Sequence, residues 1–366
     1  MQQRAKRARI SDVATGAGVS KSTVSIAFNN PERLSPETVS RIRGVADEMG
    51  YRPHPVARML AQRHTSTLAI VPPQALVVAF GNPFFSMFSR GVASVAEEFG
   101  YGLLFVSPLH GSLARAVGRA SVDGFVVIGL GEDHPEVEQI RSARLPIVLV
   151  DSAAFPEHGS VTIDDEAGAN AAAEHLIGLG HREFLILAVE PPQTGVGVAS
   201  PAITALDSVS ARRLRGYRAA LERHGIELAE ERIAVGPPTF DGGAAAVERA
   251  IDSGLAFTAV LAMSDVMALG AIHAAAGRGR TVPHDISVVG FDDIDEAENS
   301  RPALTTVHQP IREKGAEAAR ILLAAVDRRD ADQPQHRRLE TQLITRASTA
   351  PVRARAKEVT SPANSI

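Results

Sequence analysis

From residue 66 to about residue 348, apolar runs alternate with amphipathic helical patterns, and this alternation constrains the fold most strongly. The apolar runs predict strands at residues 67–71, 76–80, 101–106, 124–129, 146–150, 184–188, 257–262 and 286–291. Between them, helices are predicted at residues 85–99, 166–179, 210–224, 241–252, 265–276 and 311–327. Continuous Val, Ile and Leu runs separated by helices are typical of parallel sheets covered on both faces. A segment of this length favours two such sheets.

The first 52 residues have a different pattern, that of a small helical domain. Helices are predicted at residues 11–17 and from Ser20 onward, with a turn at Gly18 between them. A third helix is expected between the N-cap Ser35 and the stop signal Gly50. Two short helices joined by a glycine turn predict a helix-turn-helix, whose second helix can enter the major groove of DNA.

Charge separates the two parts of the chain. Residues 1–64 contain 11 Lys and Arg against 5 Asp and Glu, a net charge of +6, and the remaining 302 residues contain 27 against 37, a net charge of −10. A basic head on an acidic body is typical of a DNA-binding module fused to a separate soluble domain. A basic solvated tail is the alternative, but it would not carry the apolar pattern of the head.

Composition excludes several classes of protein. The chain has no cysteine, so it has neither disulfides nor thiolate metal sites, as expected of a cytoplasmic protein. No apolar run reaches the length of a membrane span, and the basic N-terminus leads into the helical head without the apolar segment of a secretion signal. We therefore expect a cytoplasmic protein that does not contact a membrane.

The sequence gives little support to catalysis. The glycine-containing segments at residues 178–182 (GLGHR) and 195–200 (GVGVAS) lack the lysine of a phosphate-binding loop and the GxGxxG spacing. The acidic residues between 292 and 298 could bind a cation, but a solvated acidic loop is the simpler interpretation. We expect no enzymatic activity, no cofactor and no metal site.

Short motifs occur in a recognisable order along the chain. They lie at residues 12–25 (DVATGAGVSKSTVS), 50–60 (GYRPHPVARML), 82–85 (NPFF), 122–128 (VDGFVVI), 161–169 (VTIDDEAGA), 178–182 (GLGHR), 213–220 (RLRGYRAA), 264–270 (SDVMALG), 282–293 (VPHDISVVGFDD) and 304–309 (LTTVHQ). Together they resemble the lactose-repressor and purine-repressor (LacI/GalR-type) family of bacterial transcription regulators. The resemblance runs from about residue 10 to about residue 348.

The resemblance implies four regions: an all-α helix-turn-helix head at residues 1–52, a hinge helix or linker at 53–65, a body at 66–348 and a disordered polar tail at 349–366. The body is expected to be an α/β structure with two lobes, like the periplasmic binding proteins, and with parallel doubly wound sheets. It would bind an effector and hold two copies of the chain together as a homodimer.

Positions in the head carry DNA-binding roles by resemblance. Lys21 and Ser22 occupy the places that read bases, and Ile26 stands where many members have an arginine. Isoleucine can contact only an apolar surface such as a thymine methyl, so we expect an operator unlike the family's usual ones. Other expected DNA contacts are Ser20, Thr23, Ser25 and Asn29 in the head, with helix capping as the alternative for Thr23 and Ser25, and Ala57 and Leu60 in the hinge. Leu60 would wedge into the minor groove, unless it is an ordinary linker residue.

Polar or aromatic residues at strand ends are the expected effector contacts, because ligands of parallel α/β folds bind at the carboxyl ends of the strands. The candidates are Phe84, Asp151, Arg213, Phe240, Ser264 and Asp292. The resemblance implies effector contacts at Arg213, Ser264 and Asp292 and an aromatic stacking residue at Phe240; a helix cap or a domain-interface charge is the alternative for each. Carboxylates and a guanidinium suit a polyhydroxylated ligand, and an aromatic ring can cover its apolar face. Ser264 stands where asparagine is common in the family. For the neighbouring Asp265, capping of the following helix is the expected role.

The sequence thus predicts a DNA-binding transcriptional regulator, a repressor by resemblance, that binds a palindromic operator as a homodimer in the bacterial cytoplasm and nucleoid. A sugar or nucleoside bound between the lobes would control its operator affinity allosterically. The alternative is a soluble sugar-binding protein whose head binds DNA without specificity.

Overall fold

Two separate units make up the chain. The computed structural model describes residues 8–52, 65–107, 122–129, 144–152, 157–189, 208–327 and 333–352. The first unit is Met1–Thr65 and the second is Ser66–Ile366. The hinge residues Ala57 and Leu60 lie outside the described residues.

The head contains three α-helices, α1 (Ile10–Gly16), α2 (Lys21–Asn29) and α3 (Pro36–Glu48), and a 3-10 turn at Pro31–Arg33. Serine caps begin two of them: the hydroxyl of Ser20 accepts from Thr23 N at 3.1 Å, and that of Ser35 accepts from Thr38 N at 3.3 Å. Gly18 holds a φ of 66° in the turn between α1 and α2, a conformation that favours glycine. The predicted helix-turn-helix is confirmed.

The body holds two six-stranded sheets. Its strands are β1 (Thr67–Val71), β2 (Gly102–Phe105), β3 (Gly124–Ile128), β4 (Ile147–Val150), β5 (Gly159–Ile163), β6 (Phe184–Val189), β7 (Ile233–Gly236), β8 (Ala259–Ala262), β9 (Ser287–Asp292), β10 (Thr305–His308), β11 (His336–Leu339) and β12 (Gln342–Ile344). The first sheet has the order β11-β5-β4-β3-β1-β2 and is parallel throughout; we call it and its helices the N-lobe. The second, in the C-lobe, has the order β12-β10-β9-β8-β6-β7 and is parallel except at β12.

Helices cover the sheets in closely packed pairs. They are α4 (Leu76–Phe80), α5 (Pro83–Glu98), α6 (Asp165–Gly178), α7 (Val209–Arg223), α8 (Phe240–Asp252), α9 (Asp265–Gly277), α10 (Asp295–Asn299) and α11 (Ile311–Asp327). In the N-lobe α5 packs against α11, and in the C-lobe α6 packs against α7 and α8 against α9. Gly91 in α5 is needed for the first pair, since a Cβ there would lie 1.9 Å from the carbonyl oxygen of Arg312.

The chain passes between the lobes three times, after β5, after β10 and after β11. The last strand of the N-lobe sheet, β11, follows the C-lobe strand β10 in sequence, and the last strand of the C-lobe sheet, β12, follows β11. The polar residues that follow β10 therefore lie between the lobes. This arrangement confirms the predicted two-lobed α/β body.

Two sequence predictions about elements are wrong. Residues 76–80, predicted as a strand, form α4, in which Val77 is 82% and Phe80 57% exposed, so this apolar run does not enter a sheet. Residues 349–352, predicted as disordered tail, bond to the C-lobe: the Ala350 carbonyl accepts from His181 Nε2 at 3.0 Å, and Val352 N donates to Leu179 O at 3.0 Å. Residues 353–366 lie outside the described part. Among the described helices none has the length and apolar character needed to cross a bilayer.

Candidate functional site

A cavity of about 150 Å³ lies between the two lobes, at the carboxyl ends of their strands. Its described lining residues come from both lobes and from the crossover after β10. They are Pro73, Gln74, Ala79, Asn82, Phe84, Phe85, Ile128, Gly129 and Asp151 in the N-lobe, Val189, Ser208, Val209, Ser210, Arg213, Pro238, Met263, Ser264 and Asp292 in the C-lobe, and Gln309 in the crossover. A ligand held there would contact both lobes at once.

Arg213 is the central cation of the C-lobe wall. It is buried in α7, and its Nε donates to Asp165 Oδ1 at 2.9 Å. Its guanidinium carbon lies 3.5 Å from the centre of the Phe291 ring, and NH1 donates to the carbonyl of Met263. NH1 also lies 3.8 Å from Asp292 Oδ1. These partners fix the guanidinium at the cavity wall, as a planar group that can donate to a ligand.

Two buried carboxyl groups behind this wall titrate far from their ordinary range. Burial raises the pKa of Asp292 to about 6, although Arg213 acts in the opposite direction. Burial and the charge of Asp292 raise the pKa of Asp265 to about 8, against the hydrogen bonds from Thr306 and Ile294. At pH 7 Asp292 is therefore mostly ionised and Asp265 mostly neutral.

Asp265 does not have the capping role predicted for it. The N-cap of α9 is Ser264, whose hydroxyl accepts from Met267 N at 3.4 Å. Asp265 is instead the first residue of the helix and points inward, where it bonds to Thr306 Oγ1 at 2.5 Å and Ile294 N at 3.0 Å. It ties the start of α9 to the first half of β10 and to the backbone just after β9.

Backbone conformation singles out two of the lining carboxylates. Asp151 follows β4 with a φ of 54°, and Asp292 ends β9 with a φ of 131°. Both values lie in the region that favours glycine, and such conformations cost of the order of 1–3 kcal/mol each. Strained residues of this kind cluster at ligand sites, and here they aim a carboxylate from each lobe at the same cavity.

A chain of polar groups joins these two carboxylates. Lys314 Nζ lies 2.8 Å from both carboxylate oxygens of Asp151 and donates to Gln309 Oε1. Gln309 Nε2 in turn donates to Asp292 Oδ1 at 2.6 Å. A second link runs from Arg212 NH2 to the carbonyl oxygen of Asp151 at 2.9 Å. The lobes are thus connected by bonds directly beneath the cavity.

Five of the six predicted effector contacts line this cavity: Phe84, Asp151, Arg213, Ser264 and Asp292. Phe240 does not. Because Thr239 caps α8 by accepting from Gly242 N at 3.0 Å, Phe240 begins the helix, where its ring centroid lies 5.4 Å from that of His273 and 41% of the residue is exposed. We therefore leave Phe240 out of the site.

Sequence reasoning missed Gln309, Asp165 and Lys314. Gln309 follows β10, which has no apolar run, so the sequence predicts no strand end beside it. Asp165 stood within a quoted motif, and its acceptance from both Arg212 and Arg213 is visible only in three dimensions. Lys314 could have been found as a lysine on the apolar stripe of α11.

The acidic residues after β9 are paired separately in the described structure. Asp293 accepts from Arg346 NH2 at 2.7 Å and contacts His308 Nδ1 at 2.9 Å, and Asp295 contacts Arg312 NH2 at 3.3 Å. These carboxylates have different cationic partners, so a shared cation site is not supported.

On the head, α2 presents the predicted DNA-contacting side chains. Lys21 and Ser22 are exposed, and Ile26 is half-buried. The hydroxyl of Ser20 contacts those of Ser22 and Thr23 at 2.6 and 2.8 Å, and Asn29 Nδ2 donates to Ser25 Oγ at 3.1 Å. The first turn of the helix therefore offers an ammonium and several hydroxyl groups on one surface.

Head and body each match a known family. Residues 9–54 match the bacterial regulatory proteins of the lacI family, and residues 173–349 match the periplasmic binding protein-like domain. The HTH-type transcriptional regulator CelR of Thermobifida fusca is 32% identical over 353 residues, which cover 94% of this chain and 99% of CelR. The chain belongs to the lacI family of bacterial regulatory proteins.

Solved structures agree with this assignment. The structure of the CelR–cellobiose complex has a TM-score of 0.68 with 31% identity, and covers 93% of this chain and all of its own. The lac repressor dimer bound to operator and the anti-inducer ONPF has a TM-score of 0.76 with 26% identity, and covers 94% and 100%. This lacI-family protein is a DNA-binding transcriptional regulator, and the predicted fold class and family are confirmed.

Proposed function

We propose that this lacI-family protein is a repressor that binds a palindromic operator as a homodimer and changes its operator affinity when a sugar or nucleoside enters the cavity between the lobes. The observation that carries the proposal is the convergence of side chains from both lobes on one cavity, in a chain that also has a helix-turn-helix head. Such a regulator works in the cytoplasm, associated with the nucleoid.

For the head we propose that Lys21 and Ser22 read bases and that Ile26 contacts a thymine methyl. Thr23, Ser25 and Asn29 position the helix on phosphates, and Ser20 holds the first turn in shape through its cap. In the hinge, Ala57 and Leu60 enter the minor groove of a deformable central step. The lac repressor dimer, a similar structure that is bound to operator, supports operator binding by this chain.

For the cavity we propose that Arg213 and Asp292 bind hydroxyl groups of the ligand from the C-lobe, with Ser264 beside them. Asp151 and Phe84 approach from the N-lobe, where the ring covers an apolar face of the ligand. Cellobiose in the CelR complex supports the sugar class. Because these contacts come from two lobes, the ligand binds one lobe arrangement better than another, and this difference in affinity shifts the equilibrium between them.

The test begins with genomic DNA fragments selected by the purified full-length protein at physiological salt and then sequenced. We expect a short palindrome with a deformable centre, and release of the labelled palindrome by a neutral sugar or nucleoside in a fluorescence anisotropy assay. Diffuse binding that disappears with salt would favour the alternative, a sugar-binding protein with a nonspecific head. Specific binding that no sugar or nucleoside changes would refute the ligand class.

A further inference from the structure

Lys314 is a lysine without any exposed surface, placed directly behind the cavity wall. It lies in the first turn of α11, and its Nζ is 5.7 Å from the centre of the Phe84 ring. An ammonium group has three donors, and the three acceptors around it are both oxygens of Asp151, at 2.8 Å, and Gln309 Oε1. The ammonium is therefore fully satisfied, although it never meets solvent.

This arrangement determines how Gln309 faces the cavity. Since the ammonium can only donate, Gln309 must turn its carbonyl oxygen toward Lys314. Its amide nitrogen is then directed to Asp292 Oδ1, at 2.6 Å. Lys314 thus fixes the orientation of Gln309, which lines the cavity, although Lys314 is not a lining residue itself.

The charges of the described wall balance. Three carboxylates and three cations meet there from five elements: Asp151 after β4, Asp165 in α6, Asp292 in β9, Arg212 and Arg213 in α7, and Lys314 in α11. Asp265, behind Asp292, is mostly neutral at pH 7 because burial raises its pKa to about 8. Lys314 is the cation that cancels Asp151, the carboxylate of the N-lobe.

We propose that Lys314 is a positioning residue of this site: it neutralises Asp151 and orients Gln309, and it thereby makes the cavity selective for uncharged ligands. The ligand-binding half of this inference rests on the proposed function. Without Lys314, Asp151 would present an uncompensated carboxylate to the cavity, and a cationic ligand would be attracted in place of the ammonium.

The first experiment needs no ligand. Thermal unfolding of the full-length protein is followed between pH 5 and pH 8 for the wild type, K314M, D151N and the double variant. Methionine keeps the length of the side chain and removes its charge. K314M should lower Tm by roughly 5–10 °C at pH 7, and less at pH 5, where the unpaired carboxylate is more easily protonated. The double variant should recover most of the Tm that K314M loses, and its Tm relative to the wild type should no longer depend on pH as that of K314M does.

The second experiment measures charge selectivity by isothermal titration with a fixed panel: cellobiose, glucose, glucosamine and glucuronate. The wild type should bind a neutral sugar of the panel and exclude glucosamine and glucuronate. K314M should shift the ratio of glucosamine to glucose affinity at least tenfold toward glucosamine. R312M is the matched control, because Arg312 lies on the same helix but is 54% exposed in its side chain and pairs with the surface residue Asp295. It should leave the ratio unchanged.

The outcomes separate the two claims. Equal Tm losses for K314M and the double variant at every pH would show that Lys314 does not act through Asp151, and would overturn the positioning role. Binding of a charged sugar to the wild type as tight as that of its neutral analogue would overturn the selectivity. If no member of the panel binds while the double variant still restores Tm, glucose-type ligands are ruled out for the proposed function and the positioning role of Lys314 stands.

Discussion

Replacing Asp265 by asparagine should make the body more stable at neutral pH and flatten its pH dependence. Asp265 is fully buried, and its pKa is raised to about 8 by burial and by the neighbouring charge of Asp292. The unfolded chain loses this proton near pH 4. Between about pH 4 and pH 8 the folded protein therefore holds a proton that the unfolded protein has released, so stability falls as the pH rises through that window.

The magnitude follows from the slope of one proton, which is about 1.4 kcal/mol for each pH unit. From pH 5 to pH 7 the wild type should lose about 3 kcal/mol through Asp265 alone. Asparagine does not titrate, and it can keep both native bonds: its carbonyl oxygen accepts from Ile294 N, and its amide donates to Thr306 Oγ1, since a hydroxyl group can accept as well as donate. The free energy of unfolding of D265N, relative to that of the wild type, should therefore rise by about 3 kcal/mol from pH 5 to pH 7.

The assay is urea unfolding of the full-length protein, followed by far-ultraviolet circular dichroism at pH 5, 6, 7 and 8. Asp241→Asn serves as the control, since Asp241 is exposed in the first turn of α8 and tests the loss of one carboxylate without burial. The free energy of unfolding of the control should change with pH as that of the wild type does. If D265N also shows the pH dependence of the wild type, Asp265 is ionised in the folded body, and the account of the buried pair is wrong.

Three further predictions concern the head, the cavity and the helix packing. K21A should weaken specific operator binding by about 1–3 kcal/mol, the usual effect of a base-reading contact, and an equal loss on random DNA in anisotropy titrations would assign Lys21 to phosphate. D292A should abolish release of the operator by the effector and leave DNA binding intact; an unchanged response curve would remove Asp292 from the site. G91A should lower the free energy of unfolding by several kcal/mol, because its Cβ would lie 1.9 Å from Arg312 O. G44A should raise the free energy of unfolding by up to about 1 kcal/mol, because Gly44 occupies an exposed position of α3 with open space around it. Similar effects of the two substitutions would contradict the close packing of α5 against α11.

Strands that are continuous apolar runs were predictable from the sequence, and the others were not. β3 and β8 are continuous apolar runs because helices cover both faces of their sheets. β10 begins with two buried threonines, Thr305 and Thr306, and β11 is largely exposed at the edge of its sheet, so neither shows an apolar run. The apolar run of α4 had the composition of a strand, and periodicity cannot separate the two structures over five residues.

The strand-end rule found three polar residues of the cavity. It identified Asp151 in the N-lobe and Ser264 and Asp292 in the C-lobe, because each follows or ends an apolar run that was visible in the sequence. It could not find Lys314, which lies on a helix. The signal for Lys314 was its position on the buried stripe with Ile311 and Ala318, since a lysine there requires a buried partner for its charge.

The bond between Lys314 and Asp151 couples the two carboxylates that have a strained backbone, Asp151 and Asp292. Asp151 and Asp292 belong to different lobes, yet they are separated by only two side chains, Lys314 and Gln309, each bonded to the next. A change in the angle between the lobes must stretch or re-pair this chain, and leaving one of its buried charges without a partner would cost several kcal/mol. A ligand that supplies hydroxyl groups to Asp292 and Asp151 can replace the bonds that such a movement breaks. The same residues that recognise the ligand therefore set how strongly its binding acts on the position of the lobes.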